Sequence, residues 1–227
     1  MTDNRSQALL QSIMNAKIYH DVTEEKRRSA LPLITVSRGK GANGGRIARM
    51  LSERLDIPLY DRKLIDEVAK RSKSDPYLTR KLDEHMSSLV DEWVRSLFTG
   101  KNASRDTFNY HLIKVIMNIA PHGGVIVGRG AHLLLGNYKV FRMRVEGSLH
   151  RCAERVSKRE GVKMSKAKTL VERADLERQE FVHNLYKNHV APHNFYDMSV
   201  NTDLFSNKTV VELVLDGMRE MGFVQAR

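Results

Sequence analysis

Apolar and polar positions along this chain switch between a period of two and a period near 3.6, and the switches mark out its elements. Ile34-Thr-Val36 is a short β-branched run. Four glycines within seven residues follow it, and then Ile47, Met50, Leu51 and Leu55 at helical spacing. Strand, glycine-rich turn and amphipathic helix therefore succeed one another without a gap. Ile57-Pro-Leu-Tyr60 predicts a second short strand that ends in Asp61 and leads into a helix from Arg62 to about Arg71, broken at Asp75-Pro76. From there to about Ala120 the pattern is helical, with a break near 100–104 and the only tryptophan, Trp93, inside it. This predicts a helical insertion over 74–120, between the second and third strands. Pro121 to Ala131 carries the next apolar strand, Val140 to Val145 a further one with Phe141, Met143 and Val145 on one face, and Met198 to Asn201 the last. A basic helix over 148–160, a long polar helix from Ser165 to about His189 and an amphipathic helix from Ser206 to Met221 complete the pattern. Strands separated by helices need crossover connections, which predicts an α/β fold with a mostly parallel sheet covered on both faces. Residues 1–30, with Ala8, Leu9, Ile13 and Met14 at helical spacing and the charged run Glu24 to Arg28, read as an added helix and linker before a domain over 31–222.

The glycine-rich turn is where chemistry enters. Glycines let successive backbone N–H groups turn toward an anion, and the following helix directs the positive end of its dipole to the same place. Gly39, Gly41, Gly44 and Gly45 lie between strand and helix in that arrangement, with Arg38, Lys40, Ala42, Asn43 and Arg46 completing a candidate phosphate cradle. The run departs from the usual G-x-x-x-x-G-K-[ST] pattern. Counted from Gly39, Gly45 stands where the lysine belongs and Arg46 where the hydroxyl belongs. Lys40 and Arg46 restore positive charge, but neither is a metal ligand. A strand-to-helix turn without a ligand is the plain alternative.

Charge sharpens this reading. Of 227 residues, 38 are Lys or Arg and 27 Asp or Glu, a net +11 that suits a polyanionic partner, nucleotide or nucleic acid. Nucleic acid is the weaker choice: aromatic residues are 7% of the chain and spread out, with no RNP-like motif and no zinc-finger spacing. Cys152 is the only cysteine, which excludes an intramolecular disulfide and any cysteine-based metal site. His183, His189 and His193 straddle a helix end and Pro192 without partners that would orient them, so no metal site is assigned. Apolar runs are far too short to span a membrane and the start, Met-Thr-Asp-Asn-Arg-Ser, has no signal-peptide core, so a cytoplasmic protein is expected.

Six short motifs in order then carry a resemblance. These are Ser37-Arg38 with the loop ending Gly-Gly-Arg46, Ile57-Pro-Leu-Tyr-Asp61, Val125-Ile-Val-Gly-Arg-Gly-Ala131, Arg155-Val-x-x-Arg159-Glu-Gly161, Asp175-x-x-Arg178 and Tyr196-Asp-x-x-Val-Asn-Thr-Asp203. Together, over about residues 31–222, they resemble the cytidylate-kinase-like family of P-loop nucleoside monophosphate kinases, in which a Gly-Gly-Arg loop is common. The resemblance implies a three-layer P-loop kinase fold, with the helical insertion binding the acceptor and residues 148–190 forming a lid. It implies ATP as phosphoryl donor, a nucleoside monophosphate, CMP first, as acceptor, and Mg2+ carried largely by the nucleotide's own phosphates, with Asp61 the nearest acid. Arg38 to Arg46 would hold donor phosphates, Asp61 and Arg129 would face the acceptor, and Asn201, Thr202 and Asp203 would lie where the donor base passes. Among Arg155, Arg159, Asp175 and Arg178, Arg178 is the expected transition-state contact and Asp175 its orienting partner.

Each role has a structural competitor. Arg155 and Arg159 are one turn apart and read equally as a solvated basic face. Arg178, flanked by Glu172, Glu177 and Glu180, reads as part of a surface ion network. Asp61 reads as the N-cap of the helix that starts at Arg62. A nucleotide-binding module without turnover is the alternative to an enzyme, favoured by the missing lysine and hydroxyl. The N-terminal helix leaves room for packing on a second subunit, so a homo-oligomer stays open.

Overall fold

A computed structural model describes residues 31–84, 103–135, 138–186 and 196–224. Its centre is a five-stranded, all-parallel sheet in the order β2-β3-β1-β4-β5. The strands are β1 (Leu33–Arg38), β2 (Leu59–Tyr60), β3 (Gly124–Val127), β4 (Phe141–Glu146) and β5 (Met198–Asn201). In the register, Ile34 of β1 lies opposite both Val125 of β3 and Phe141 of β4, so β1 is the middle strand. Among the described residues the helices are α1 (Gly44–Leu55), α2 (Arg62–Ser74), α3 (Pro76–Glu84), α4 (Ala103–Ile119), α5 (Ala131–Leu134), α6 (Leu149–Glu160), α7 (Met164–Tyr186) and α8 (Asn207–Glu220).

The period-two pattern sorts the sheet into two cores. Leu33 and Ile126 face one core with Leu64, Ile65 and Val68 of α2 and Leu112, Ile113 and Ile116 of α4. Ile34, Val36, Val125, Val127 and the predicted trio Phe141, Met143 and Val145 face the other, with Ile47 and Leu51 of α1, Val156 of α6 and Val210, Val211 and Val214 of α8. Helices thus cover both faces, the three-layer α/β arrangement expected. Burying each of these aliphatic side chains contributes about 1.5–3 kcal/mol, so each layer is held by many interchangeable contacts.

Helix boundaries follow from local chemistry. Asp61 accepts the Leu64 N–H at 3.0 Å, the N-cap role anticipated for it, and Ser148 and Ser206 cap α6 and α8 in the same way. At Asp75-Pro76 the chain does not leave the helical layer. Asp75 Oδ1 accepts the N–H groups of Tyr77 and Leu78 and starts α3 one residue after α2 stops. The expected N-terminal helix, Trp93, the break near residue 100, His189, Pro192 and His193 lie outside the described residues.

The long helix α7 packs on both cores. Ala167 and Val171 near its start are buried in the α1/α6/α8 core, whereas Phe181 and Val182 near its end pack on the α2/α4 core. These positions share one helical face, and between them on that face stand Asp175 and Arg178. The helix therefore passes across the carboxyl ends of the strands and lays its two polar residues on the glycine-rich loop.

Candidate phosphate-binding site

The glycine-rich loop leaves the carboxyl end of the middle strand, the place where open α/β sheets bind ligands. Its first N–H, that of Gly39, bonds the Val145 carbonyl at 3.1 Å and ties the loop to β4. Gly41 adopts φ +83°, and a Cβ there would overlap the Cys152 carbonyl on α6, so only glycine lets the loop lie this close to that helix. Asn43 takes a left-handed conformation, and its carbonyl accepts the Arg46 and Ile47 N–H groups at 2.9 and 3.0 Å to begin α1. The N–H groups of Gly41, Asn43, Gly44 and Gly45 have no acceptor among the described residues. Four donors at the N-terminus of a twelve-residue helix are what an anion needs.

Arginines gather at the same end of the sheet. The Arg38 guanidinium packs against Gly128, whose φ of +80° leaves no room for a Cβ beneath it. Burial, followed by the neighbouring Arg178, Arg62 and Arg129, lowers the Arg38 pKa to about 10, with Asp175 acting in the opposite direction. Arg178 donates to Asp175 Oδ1 at 2.5 Å and to the Arg38 carbonyl at 3.4 Å. It turns toward the loop with Asp175 as its carboxylate partner, while Glu177 pairs with Arg173. Asp175 Oδ1 also accepts the Lys40 N–H at 2.8 Å, so a carboxylate already rests on one backbone donor of the loop. The Lys40 ammonium lies 3.1 Å from Glu160.

Other expected site residues are placed differently from one another. Arg129 has φ 57° and gives Nε and Nη2 to the carboxylate of Asp66, the Nε bond at 2.7 Å, while its guanidinium lies 4.7 Å from the Phe181 ring centroid. Arg62 approaches the same carboxylate at 3.6 Å. Arg155 and Arg159 do not act as a pair. Arg159 is exposed beside Glu160, and Arg155 turns in to donate to the Gly41 carbonyl (3.2 Å), Thr202 Oγ1 (3.0 Å) and the Thr202 carbonyl (2.6 Å). Arg155 thus fastens the glycine-rich loop to the segment after β5. Asn201, Thr202 and Asp203 form that segment. Asn201 Oδ1 accepts the Asp203 N–H, Thr202 donates to the Glu146 carbonyl and Asp203 Oδ2 accepts the Ser148 N–H. Gly45 and Arg46 are exposed on the first turn of α1.

Two features escaped the sequence. Asp66 is visible there only as the i, i+4 partner of Arg62, and its bidentate hold on Arg129 spans 63 positions. His132, buried on α5, sits with Nδ1 at 3.3 Å from Ser37 Oγ and Nε2 at 3.1 Å from the Tyr196 hydroxyl, with the His132 and Tyr196 rings stacked at 4.8 Å. Burial, then Arg144 and Arg142, pushes its pKa down to about 4.

The donor set around the loop can neutralise a phosphate chain but does not suit a resident Mg2+. That ion takes carboxylate or hydroxyl oxygen, and the loop offers Arg46 where a hydroxyl is usual. Among the described residues no group of three or more His, Cys, Asp or Glu is arranged for a metal. Nor is any helix there long and apolar enough to cross a membrane.

No curated protein is detectably similar to this chain. Among solved structures, an uncharacterized protein from Eubacterium ventriosum superposes with a TM-score of 0.67 at 21% identity, covering 83% of this chain and 98% of its own. A shikimate kinase from Bacteroides thetaiotaomicron (TM-score 0.46, 13% identity, 86% and 100% covered) and a gluconokinase from Sinorhizobium meliloti (0.45, 15%, 86% and 95%) also match. The first of these shares the fold worked out above. Residues 33–204, which hold the loop, its arginines and Asp175, match the sequence model of the cytidylate kinase-like family, and the chain belongs to that family.

Proposed function

We propose that this protein is an ATP-dependent phosphotransferase whose acceptor is a nucleoside monophosphate, with CMP the first candidate, acting in the cytoplasm where both substrates are found. One observation carries the reading. Four loop N–H groups without acceptors among the described residues share the end of the sheet with Arg38 and Arg178, so an incoming polyanion would meet unfilled donors and excess positive charge. Phosphoryl transfer asks for little covalent help. It needs donor and acceptor phosphates in line and the spreading charge neutralised, which planar guanidinium groups do well.

In this reading the loop from Arg38 to Arg46 holds the donor phosphates. Asn201, Thr202 and Asp203 pass beside the donor base, fixed by Arg155. Asp61, through its position at the head of α2, and Arg129, held by Asp66, bound the acceptor side. Arg178 is the transition-state contact. Asp175 orients it, and the Asp175 carboxylate leaves the Lys40 N–H when phosphate arrives, because both are anions competing for one donor. Arg159, paired with Glu160, contributes positive charge at the rim.

The test is ADP release with ATP, in the presence and absence of Mg2+, and each common nucleoside monophosphate, run beside Arg178→Ala. Turnover with one acceptor that collapses in the variant is the expected result and names the substrate. The vacant lysine position at Gly45 favours a second reading, a nucleotide-binding module without turnover. ATP binding with no turnover on any acceptor would select it.

A further inference from the structure

The donors around the glycine-rich loop are arginines where a magnesium-using loop has metal ligands, and their placement has a consequence for the form of the nucleotide. The position of the usual hydroxyl is Arg46, and Arg129 stands two residues beyond the end of β3. Each nearby carboxylate accepts from one of the protein's own donors, though Asp203 Oδ1 is buried with no hydrogen bond among the described residues and lies 3.7 Å from Arg155. Asp175 accepts from Lys40 and Arg178, Asp66 from Arg129, Asp203 from Ser148, and Asp61 from Leu64. Arg38, Arg62, Arg129 and Arg178 are near enough to one another to disfavour charge on Arg38, and Asp66 and Asp175 are the carboxylates set among them. Four cations against two anions leave the cluster short of negative charge.

Resting on the reading that the loop binds the donor's phosphates, we propose that this site takes the nucleoside triphosphate in its metal-free form, with the arginine cluster replacing Mg2+ as the neutralising charge. Metal-free ATP carries more negative charge than MgATP, so a site with surplus guanidinium groups, and an arginine where the magnesium-binding hydroxyl is usual, favours it. Asp175 sets the selectivity in the same sense. A phosphate oxygen displaces it from the Lys40 N–H, and Arg178 then bonds both. A bound metal would have to compete with Arg178 for the same carboxylate.

The experiment is calorimetric titration of the intact protein with ATP, once with excess chelator and once with excess Mg2+. The expected result is a dissociation constant in chelator equal to or tighter than that in Mg2+. Arg178→Gln should weaken the metal-free form about tenfold, the loss expected for one charge-assisted hydrogen bond. Arg62→Gln, on an exposed side chain, should weaken the same form in the same direction if the first variant does not fold. Binding that requires Mg2+, or an affinity for metal-free ATP that ignores both substitutions, overturns the inference while leaving the phosphotransferase reading standing. No binding of either form overturns both.

Discussion

Acidification should weaken this protein through one histidine. His132 is buried between Ser37 and Tyr196, and burial with the nearby Arg144 and Arg142 holds its pKa at about 4 against an ordinary value of 6.5. The unfolded chain therefore binds a proton at a pH where the folded protein refuses it. The neutral ring's contribution is complete above pH 6.5 and is lost as pH falls from 6.5 to 4. At 1.36 kcal/mol per unit, the 2.5 units between these values correspond to about 3 kcal/mol, a large share of a domain's stability. Urea unfolding followed by circular dichroism from pH 7.5 to 4 should be run on the protein and on His132→Asn. Carboxylates and His111, whose pKa burial also lowers, titrate alike in both and cancel in the difference. The variant's deficit at pH 7 should shrink by about 3 kcal/mol by pH 4. Parallel curves, or an NMR titration of His132 near 6.5, would refute the argument.

Three further outcomes follow from the packing. Arg155→Met removes three hydrogen bonds to the loop and to Thr202 from a side chain that is 25% exposed, and should cost about 2–3 kcal/mol in urea melts; lost ATP affinity at unchanged stability would make Arg155 a ligand contact instead. Gly41→Ala should cost about 2–4 kcal/mol, from its left-handed backbone and the Cys152 carbonyl. Gly45→Ala, where a Cβ meets nothing, should gain up to about 1 kcal/mol, and the pair of thermal melts checks both. Lys114 is wholly buried and paired with Asp83, which is 44% exposed. Lys114→Met keeps the packing and leaves Asp83 to water, so its melt should stay within about 1 kcal/mol of the parent, whereas Lys114→Ala should lose about 3 kcal/mol.

Much of the architecture is written locally. Phe141, Met143 and Val145 alternate because β4 is pleated, and they enter one core as that alternation requires. Asp61 announces α2 because an N-cap needs only the next three residues. The glycine-rich loop is equally local, and so is its departure from the usual lysine and hydroxyl. The site's wiring is of another kind. Asp175 reaches Lys40 across 135 positions, and Arg155 reaches Gly41 across 114. Spacing within a helix can say that Arg155 and Arg159 share a face. It cannot say that one meets a carbonyl and the other meets water. The inward turn of Arg178, against three neighbouring glutamates, likewise depends on where α7 crosses the sheet.

The middle position of β1 bears on how the chain is made. Its partners on either side, β3 and β4, come from residues about 90 and 107 positions later. At synthesis rates of about 5–20 residues per second, β1 waits roughly 5–20 s before Val125 exists to pair with Ile34. Until then both edges of an apolar strand are unpaired, and contacts this distant in sequence close slowly even once the chain is complete. A protein whose candidate active site springs from its central strand thus assembles that site among its last events. Nascent chains stopped before β4 should need protection from aggregation that the finished protein does not.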